Sequence, residues 1–143
     1  MIATVNELEF SAGGAAAPDE LMDLRRSAGW AEIAVSDDEA REALERTWNV
    51  TVRDASGRLV ALARVLDDGV FYATIWDMLV LPEYRQHGIG TRMLSLVLEH
   101  CLGRQIVSLV ATPAGRPLYE RAGFAQESRG SVGMLRRSEA GGV

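Results

Sequence analysis

Cysteine, histidine and long apolar runs are scarce in this chain. Its 143 residues include a single cysteine, Cys101, and only two histidines, His87 and His100. One cysteine cannot form an internal disulfide, and these three side chains lack the spacing of a zinc site, so we expect no metal. No apolar run approaches the roughly 20 residues of a membrane span, and the first residues lack the basic stretch of a signal peptide. The sequence therefore predicts a cytoplasmic protein without a membrane partner.

The composition is that of an ordinary globular domain. The chain is 48% hydrophobic and 24% charged, and its 143 residues suit one domain over 1–143. A net charge of −5 argues against nucleic acid as the main partner and mildly favours cationic substrates such as amines. Cys101 is expected to be a buried structural thiol rather than a nucleophile. A homodimer is compatible with the sequence, which does not fix the oligomeric state.

Hydrophobic periodicity predicts a mixture of strands and helices. The predicted strands cover residues 2–10, 49–54, 59–66, 70–81, 106–111 and 132–136. The predicted helices run from Pro18 to before Gly29, from the capping box of Ser36 to about Trp48, over 89–102, and from Pro117 to Gly123. Turn-rich segments make strands 49–54, 59–66 and 70–81 antiparallel neighbours, whereas the helix before 106–111 implies a parallel crossover. Strand 70–81 is mostly apolar, so we expect both its faces to be covered, and 106–111 to be buried.

A glycine-containing segment, residues 85–90, stands where a strand is followed by a helix. The first turn of a helix exposes unpaired N–H groups, and Gly88 and Gly90 remove the Cβ atoms that would keep a phosphate away from them. The alternative is that both glycines only mark the helix start. A P-loop is excluded because Lys does not follow Gly90, and a dinucleotide fingerprint because Met93 replaces its third glycine. The segment therefore predicts a site for a phosphorylated cofactor.

Two motifs resemble those of the GNAT acetyltransferase superfamily. Residues 77–90, with the Val-x-Pro sequence that precedes the glycines, resemble its coenzyme A signature, (Q/R)-x-x-G-x-(G/A). Residues 118–124 resemble its helix that carries a Tyr and ends in Gly-Phe. The resemblance covers roughly residues 59–124. It implies an α/β (α+β) GNAT-type single domain, with a central mixed, mostly antiparallel sheet and a parallel crossover at the coenzyme A helix, and acetyl-coenzyme A as acetyl donor.

The resemblance also implies which residues contact coenzyme A. Loop N–H groups would bind the pyrophosphate, while a strand splayed from its neighbour would pair with the pantetheine arm, and the N–H of Met78 or Val80 would polarise the thioester carbonyl. The implied cofactor-binding residues are Met78, Leu79, Val80, Arg85, Gln86, His87, Gly88, Ile89, Gly90, Thr91 and Thr112. For Thr112, the alternative to a cofactor contact is a role in a turn or helix cap. For Arg85 and His87, the alternative is a side chain that is simply solvated.

Two residues are candidates for catalysis. By resemblance, Tyr119 is the general acid that protonates the departing thiolate, and the alternative is a half-buried aromatic whose hydroxyl bonds to backbone. Some members of the superfamily place a glutamate at the position of Thr74 or near Val107, which this chain does not. Asp77 is the nearest carboxylate. It would hold the cationic amine or relay its proton through water, or else be a structural group.

The expected reaction is transfer of an acetyl group to a primary amine within a ternary complex. Trp30, Tyr72 and Trp76 are candidates for the acceptor pocket, because aromatic walls suit an amine, with core packing as the alternative for each. The acceptor, a small molecule or a peptide amine, is not identified by the sequence. The alternative function is a non-catalytic module that binds coenzyme A or acyl-coenzyme A as a sensor.

Overall fold

A five-stranded sheet forms the centre of the domain. The structure, a computed structural model, describes residues 5–30, 34–127 and 129–138. The strands are β1 (Glu9–Ala12), β2 (Trp48–Arg53), β3 (Leu59–Asp67), β4 (Tyr72–Val80) and β5 (Ile106–Leu109). They lie in the order β1-β2-β3-β4-β5. All pairings are antiparallel except that of β4 with β5, which is parallel. This arrangement confirms the mixed sheet with a parallel crossover.

Four helices flank the sheet where sequence signals place their ends. They are α1 (Pro18–Ser27), α2 (Asp37–Glu45), α3 (Ile89–His100) and α4 (Arg116–Arg121), with short 3₁₀ turns at Val5–Glu7 and Pro82–Tyr84. The helix α2 begins with the predicted capping box, since the Glu39 N–H donates to Ser36 Oγ at 3.2 Å and the Ser36 N–H donates to the Glu39 carboxylate at 2.8 Å. None of the described helices is both long and apolar enough to cross a membrane.

The hydrophobic core lies between the sheet and the helices that pack on it. The helix α3 packs against β1 to β4, while α1 packs against α2, β3 and β4. Fully buried side chains come from the inner strands and from α3, among them Val50, Val60, Met93 and Val97. Cys101 also lies in this core, and burial raises the pKa of its thiol, as expected for a structural cysteine.

Several sequence predictions differ from the observed elements. The strand predicted over 2–10 falls partly on residues 1–4, outside the described residues, and its described part begins as a 3₁₀ turn before β1. The strand predicted over 132–136 is wrong, since the described residues 129–138 form no strand. The helix predicted to reach Trp48 ends at Glu45, because Trp48 already pairs with β3.

The expected burial of β4 and β5 is also wrong. Buried and more exposed residues alternate along β4, and Tyr72 and Trp76 are 54% and 41% exposed. In β5, Ile106 is 57% exposed. The apolar composition of both strands does not reveal this exposure, because composition does not show which elements cover a strand. The exposed aromatic residues of β4 are thus available to a ligand.

Candidate active site

The loop between β4 and α3 forms an anion site from its own backbone. Gly88 precedes α3 in a left-handed conformation with φ +80°, and Gln86 has φ +63°. Among the described residues, the backbone N–H groups from Gln86 to Thr91 have no acceptor, and the first N–H paired at this end of α3 is that of Arg92, which donates to the Gly88 carbonyl at 3.2 Å. Consecutive free N–H groups at the positive end of a helix dipole suit a phosphate.

The strand β4 separates from β5 just before this loop. Pairing of the two strands ends at Ile75 with Leu109, whereas β4 continues to Val80. The pairing of β4 with β3 shifts register in the same region, since Leu62 pairs with Leu79 but Arg64 pairs with Trp76. One extra residue therefore lies in β4, a β-bulge that bends a strand away from its neighbour. The result is an open edge of β4 on the side of β5.

The backbone of the bulged segment faces this open edge at alternate residues. The N–H of Leu81 donates to the Val60 carbonyl of β3 at 2.9 Å. Successive residues of a strand direct their N–H and C=O groups to opposite sides, so those of Leu79 also face β3, whereas those of Val80, between Leu79 and Leu81, face the gap. Met78 lies in the bulge itself, where this alternation is interrupted. Met78 and Val80 are the residues whose N–H groups the sequence implied as thioester donors, and the Leu79 side chain is buried in the core.

Two side chains of the loop bond to nearby backbone. Arg85 donates from Nε to the Val80 carbonyl at 3.1 Å, which ties the loop to the end of β4. The Nδ1 atom of His87 lies 2.7 Å from the Arg85 carbonyl and 3.2 Å from that of Tyr84. His87 therefore bonds to the backbone of its own loop. The alternative drawn from the sequence was a side chain that contacts only solvent.

The helix α4, which carries Tyr119, approaches the start of α3 through Leu118. A Cβ atom added to Gly90 would lie 3.3 Å from Leu118, so the glycine permits close approach of the two helices. Tyr119 is 9% exposed, its ring packs edge-to-face on Phe124, and burial raises the pKa of its phenol. The Tyr119 hydroxyl has no hydrogen-bond partner among the described residues. Its oxygen is therefore not fully buried, because every fully buried side-chain nitrogen or oxygen of these residues has a partner. The hydroxyl therefore reaches solvent, protonated and free to donate.

Thr112 forms the turn that precedes α4. Its hydroxyl accepts a hydrogen bond from the Gly115 N–H at 3.1 Å, and its carbonyl accepts one from the Arg116 N–H at 2.9 Å. These contacts match the turn role that the sequence left open for Thr112. A contact with the cofactor arm stays a prediction.

Asp77 lies in the bulge and is bound by two arginines. It has φ +52°, a left-handed conformation that Asp tolerates better than most residues. Its Oδ1 accepts from Arg25 Nη1 at 2.8 Å and its Oδ2 from Arg64 Nη1 at 2.6 Å, and its side chain is 5% exposed. Both oxygens are occupied by charged donors, which favours the structural interpretation of Asp77, with arginines rather than backbone as its partners.

Two of the three aromatic candidates lie near Asp77. Trp30 is 37% exposed, and the guanidinium carbon of Arg25 lies 5.3 Å from its ring centroid. Trp76 precedes Asp77 and is half-exposed. Tyr72, in contrast, begins β4, about 17 Å along an extended strand from Asp77, and packs on Phe71. The structure does not bring Tyr72 to the other candidates, because an extended strand separates it from Trp76 and Asp77.

The sequence analysis missed Arg25 and Arg64. These arginines are separated from Asp77 by 52 and 13 residues along the chain. No periodicity or motif connects them, so only the folded structure reveals the cluster. A surface hollow of about 460 Å³ lies away from this cluster, between residues 13–18 and the end of α2. None of the predicted site residues lines it. Among the described residues, no group of His, Cys, Asp or Glu side chains is arranged to hold a metal ion.

Comparison with known proteins agrees with this geometry. A family model described as "Acetyltransferase (GNAT) family" matches residues 6–124. The chain belongs to the GNAT acetyltransferase family. This match confirms the resemblance drawn from the two sequence motifs.

Curated GNAT relatives are longer than this chain. A protein named histone acetyltransferase TAP1, from Glycine max, is 31% identical over 92% of the chain, which spans 62% of that protein. A chloroplastic protein named serotonin N-acetyltransferase 2, from Oryza sativa subsp. japonica, is 33% identical over 66% of the chain, which spans 50% of it.

Solved GNAT structures share the fold. A probable acetyltransferase from meticillin-resistant Staphylococcus aureus superimposes with a TM-score of 0.79 at 23% identity, over 92% of this chain and 99% of that one. A predicted acetyltransferase from Clostridium acetobutylicum, solved with acetyl-coenzyme A, has a TM-score of 0.65 at 20% identity, over 90% and 96% of the two chains.

This GNAT domain has no carboxylate at two positions where some members of the family place a glutamate. The Thr74 hydroxyl lies 2.9 Å from that of Ser108, and the pair is exposed on the sheet. Val107 is partly buried against the core. Neither position provides a side chain that could accept a proton from an ammonium group.

Proposed function

We propose that this GNAT domain transfers the acetyl group of acetyl-coenzyme A to a primary amine, by direct attack within a ternary complex and without an acyl-enzyme. The observation that carries the proposal is the row of unpaired N–H groups from Gln86 to Thr91 beside the open edge of β4. An anion site at the end of an open strand edge suits a phosphorylated substrate with an extended arm.

The donor would bind along two adjoining surfaces. The pyrophosphate would accept hydrogen bonds from the N–H groups of the loop before α3, at the helix N-terminus. The pantetheine arm would extend along β4 and pair with the gap-facing N–H of Val80 and with the backbone of Met78, as an added strand does. The Val80 carbonyl already accepts a hydrogen bond from Arg85. Family membership and the neighbour solved with acetyl-coenzyme A support this choice of donor.

The chemistry needs a neutral amine and a polarised carbonyl. The amine nitrogen attacks the thioester carbon, the new C–N bond forms, and negative charge on the carbonyl oxygen is stabilised by the Met78 N–H. The C–S bond then breaks, and the electron pair leaves on sulfur. With no free carboxylate at position 74 or 107, water takes one proton from the ammonium before attack. It takes a second proton from the nitrogen of the tetrahedral intermediate, so that collapse to the neutral amide expels the thiolate.

Tyr119 is the proposed general acid. Its hydroxyl reaches solvent without a protein partner among the described residues, and burial raises the pKa of the phenol, so the proton is present at neutral pH. Transfer of that proton to the coenzyme A thiolate completes the reaction, and solvent then reprotonates the phenolate.

Asp77 is proposed as a positioning residue. Its carboxylate joins Arg25 of α1 and Arg64 of β3 to the bulge of β4. This ion-pair cluster fixes the segment that directs Met78 toward the thioester. Trp30 and Trp76 are proposed to flank the acceptor, because both lie beside this cluster and are exposed.

An amine panel tests the proposed reaction. The protein is incubated with acetyl-coenzyme A and amines of different classes, release of free thiol is followed, and the N-acetylated product is identified by mass spectrometry. We expect thiol release that depends on both protein and amine. The absence of acetylated product with every class of amine would overturn the proposal.

The alternative function, a coenzyme A sensor, is separated by binding. Both functions predict that coenzyme A and acetyl-coenzyme A raise the melting temperature well above the effect of equal NADH or ATP, by mass action. Binding without thiol release would favour the sensor. The sensor remains an alternative because the carboxylate of Asp77 is occupied by two arginines, which leaves the described residues of the site without an evident base.

A further inference from the structure

The ion-pair cluster of Arg25, Arg64 and Asp77 has a charge of the opposite sign to that of the whole chain. The net charge of the protein is −5, yet at the bulge two guanidinium groups face one carboxylate. Because both oxygens of Asp77 accept hydrogen bonds from these groups, the cluster carries excess positive charge beside the proposed position of the thioester. An acceptor is selected by this local charge, since more distant surface charges are screened beyond about 8–10 Å.

The two arginines of the cluster differ in how many donors they have left. Arg64 uses three nitrogens, bonding to Asp77, to the Ala43 carbonyl at 3.2 Å and to the Thr47 hydroxyl at 3.4 Å, and its side chain is 16% exposed. For the Arg25 side chain, the only hydrogen bond within the described part of the chain is the one from Nη1 to Asp77. Arg25 therefore keeps free donors, and its side chain is 25% exposed.

Arg25 is bonded to the residue that immediately precedes the proposed oxyanion donor. Asp77, which Arg25 contacts at 2.8 Å, is the residue before Met78, whose N–H is proposed to hold the thioester carbonyl. An amine that attacks this carbonyl therefore brings any neighbouring group of the same molecule toward Arg25. A guanidinium presents paired donors in the geometry of a carboxylate, and Trp30 at 5.3 Å holds it from one side.

We propose that the acceptor carries a carboxylate next to its primary amine, as a free α-amino acid does, and that Arg25 binds this carboxylate. This inference rests on the proposed acetyl transfer and names its substrate class. The same positive cluster disfavours a bound ammonium and so favours the neutral, nucleophilic amine, which fits a site without a free base. Simple monoamines and polyamines lack the anionic group and are expected to be poor acceptors.

Matched acceptor pairs test the inference on the wild-type protein. Phenylalanine is compared with phenethylamine, tryptophan with tryptamine, and leucine with isoamylamine, because the members of each pair differ by the carboxylate alone. We expect kcat/KM to be at least about tenfold higher for the carboxylated member. Equal or higher values for the amines would overturn the inference while leaving the acetyl transfer intact.

Two neighbouring arginines give the matched variants. Arg25→Gln removes the proposed carboxylate donor, whereas Arg26→Gln removes the same charge from the same helix at a side chain that is 56% exposed and pairs with Asp23. We expect the preference for the carboxylated member to fall about tenfold or more in Arg25→Gln and to persist in Arg26→Gln and Arg25→Lys. Each amine has the same intrinsic reactivity with every variant, so the change in preference isolates the side chain. A preference unchanged in Arg25→Gln would exclude Arg25 as the donor.

A binding measurement separates failure of this inference from failure of the proposed function. With the protein saturated by coenzyme A, saturation-transfer NMR compares N-acetylphenylalanine with N-acetylphenethylamine. Tighter binding of the carboxylated product that is lost in Arg25→Gln supports the inference even if no acceptor is turned over, and then only the proposed transfer fails. No carboxylate advantage in binding or turnover overturns it. If Arg25→Gln does not fold, the wild-type pairs decide the substrate class, and Arg25→Met takes the place of the glutamine variant.

Discussion

The two ends of α3 differ in whether their polar groups have hydrogen-bond partners. At the N-terminal end, backbone N–H groups from Gln86 to Thr91 lack acceptors within the described residues. At the other end, about 18 Å away along the helix axis, polar side chains bind one another. Arg104 donates to both oxygens of Asp67, at 2.6 and 2.8 Å, and His100 Nε2 lies 3.1 Å from the same carboxylate. The polar groups at the C-terminal end are paired within the protein, whereas the N–H groups at the N-terminal end are proposed to bind a ligand.

The closed end has the marks of a stabilising cluster. Its Asp67 side chain is 9% exposed, and Trp48 stacks on His100 with ring centroids 3.8 Å apart and planes 4° apart. The hydrogen bond from Arg104 lowers the pKa of the Asp67 carboxyl to about 2. Paired donors and acceptors stabilise the folded state, whereas unpaired N–H groups at a helix end can donate hydrogen bonds to a ligand. We therefore expect substitutions at one end to change affinity and those at the other to change stability.

The sharpest comparison uses one glycine from each end. Gly88 and Gly103 have φ +80° and +86°, and a Cβ at either would meet no atom within 4 Å. Gly88→Asp sets a carboxylate against the pyrophosphate, so we expect coenzyme A affinity to fall at least about 100-fold, measured by calorimetry. Gly103→Asp shares the backbone strain of about 1 kcal/mol but should bind normally. Normal binding by Gly88→Asp would move the phosphate site elsewhere.

The second prediction concerns the phenol that α4 places beside the open end. Tyr119→Phe should retain its fold and coenzyme A affinity but lose about 100-fold in kcat, the low end for general acids, because a thiolate is a fair leaving group. The loss should shrink at high pH, where the thiolate leaves without a proton. Steady-state pH–rate profiles measure both effects.

A second buried tyrosine is the control for this variant. Tyr84 is also 9% exposed, and its hydroxyl bonds to Asp54 instead. Tyr84→Phe should leave kcat unchanged. A constant gap between the Tyr119→Phe and wild-type profiles across pH, or no gap at all, would argue against general acid catalysis.

The closed end should respond through stability. Asp67→Asn removes the ion pair with Arg104, and we expect the free energy of unfolding at neutral pH to fall by about 2 kcal/mol. Because the pKa of Asp67 is lowered in the folded state, its stabilising effect is complete above the ordinary value of 3.8 and is lost as pH falls toward 2. Urea unfolding at several pH values should show the two proteins converging in acid.

An exposed aspartate is the control for the closed end. Asp38 pairs with Arg41 on the surface, where its side chain is 96% exposed, so Asp38→Asn should change stability by less than about 0.5 kcal/mol. If Asp67→Asn were equally neutral, the cluster would not stabilise the fold. Reduced coenzyme A affinity in Asp67→Asn would contradict the division between the two ends.

The smallest expected effects concern the only two histidines of the chain, one at each end. His87 bonds to carbonyls of its own loop, so His87→Ala should weaken coenzyme A binding by roughly 3–10-fold through a less ordered loop. His100→Ala should instead lower the melting temperature, with binding unchanged. Exchange of these two outcomes would reverse the assignment of the two ends.

Local signals were sufficient to predict most elements of the fold. The capping box at Ser36, Pro18 at a helix start and the glycines at 88 and 90 each act through groups a few residues apart, and each was found where the sequence predicts it. The strand over 132–136 failed because alternation alone does not supply a partner strand. The faces of β4 were misjudged because apolar composition does not reveal which elements cover a strand.

Only the part of the candidate site that lies in short sequence motifs could be predicted. The loop and Tyr119 follow from short motifs, but the partners of Asp77 do not. Arg25 and Arg64 come from different elements, and no spacing rule connects them to the bulge. The positive φ of Asp77 has only a weak signal, the tolerance of Asp for that conformation. Ion pairs between distant segments are visible only after folding.

The parallel pairing of β5 has a consequence for the order of folding. The strands β2, β3 and β4 are joined by hairpins, whereas Ser108 of β5 meets Thr74 of β4 across 34 residues that include α3. Closing so long a segment costs more entropy than closing a hairpin, so we expect β5 to dock late, after α3 has formed. The gap between β4 and β5 exists only once this last strand has docked. Coenzyme A should therefore slow unfolding rather than accelerate refolding, because the chain that is still folding has no complete site to bind it.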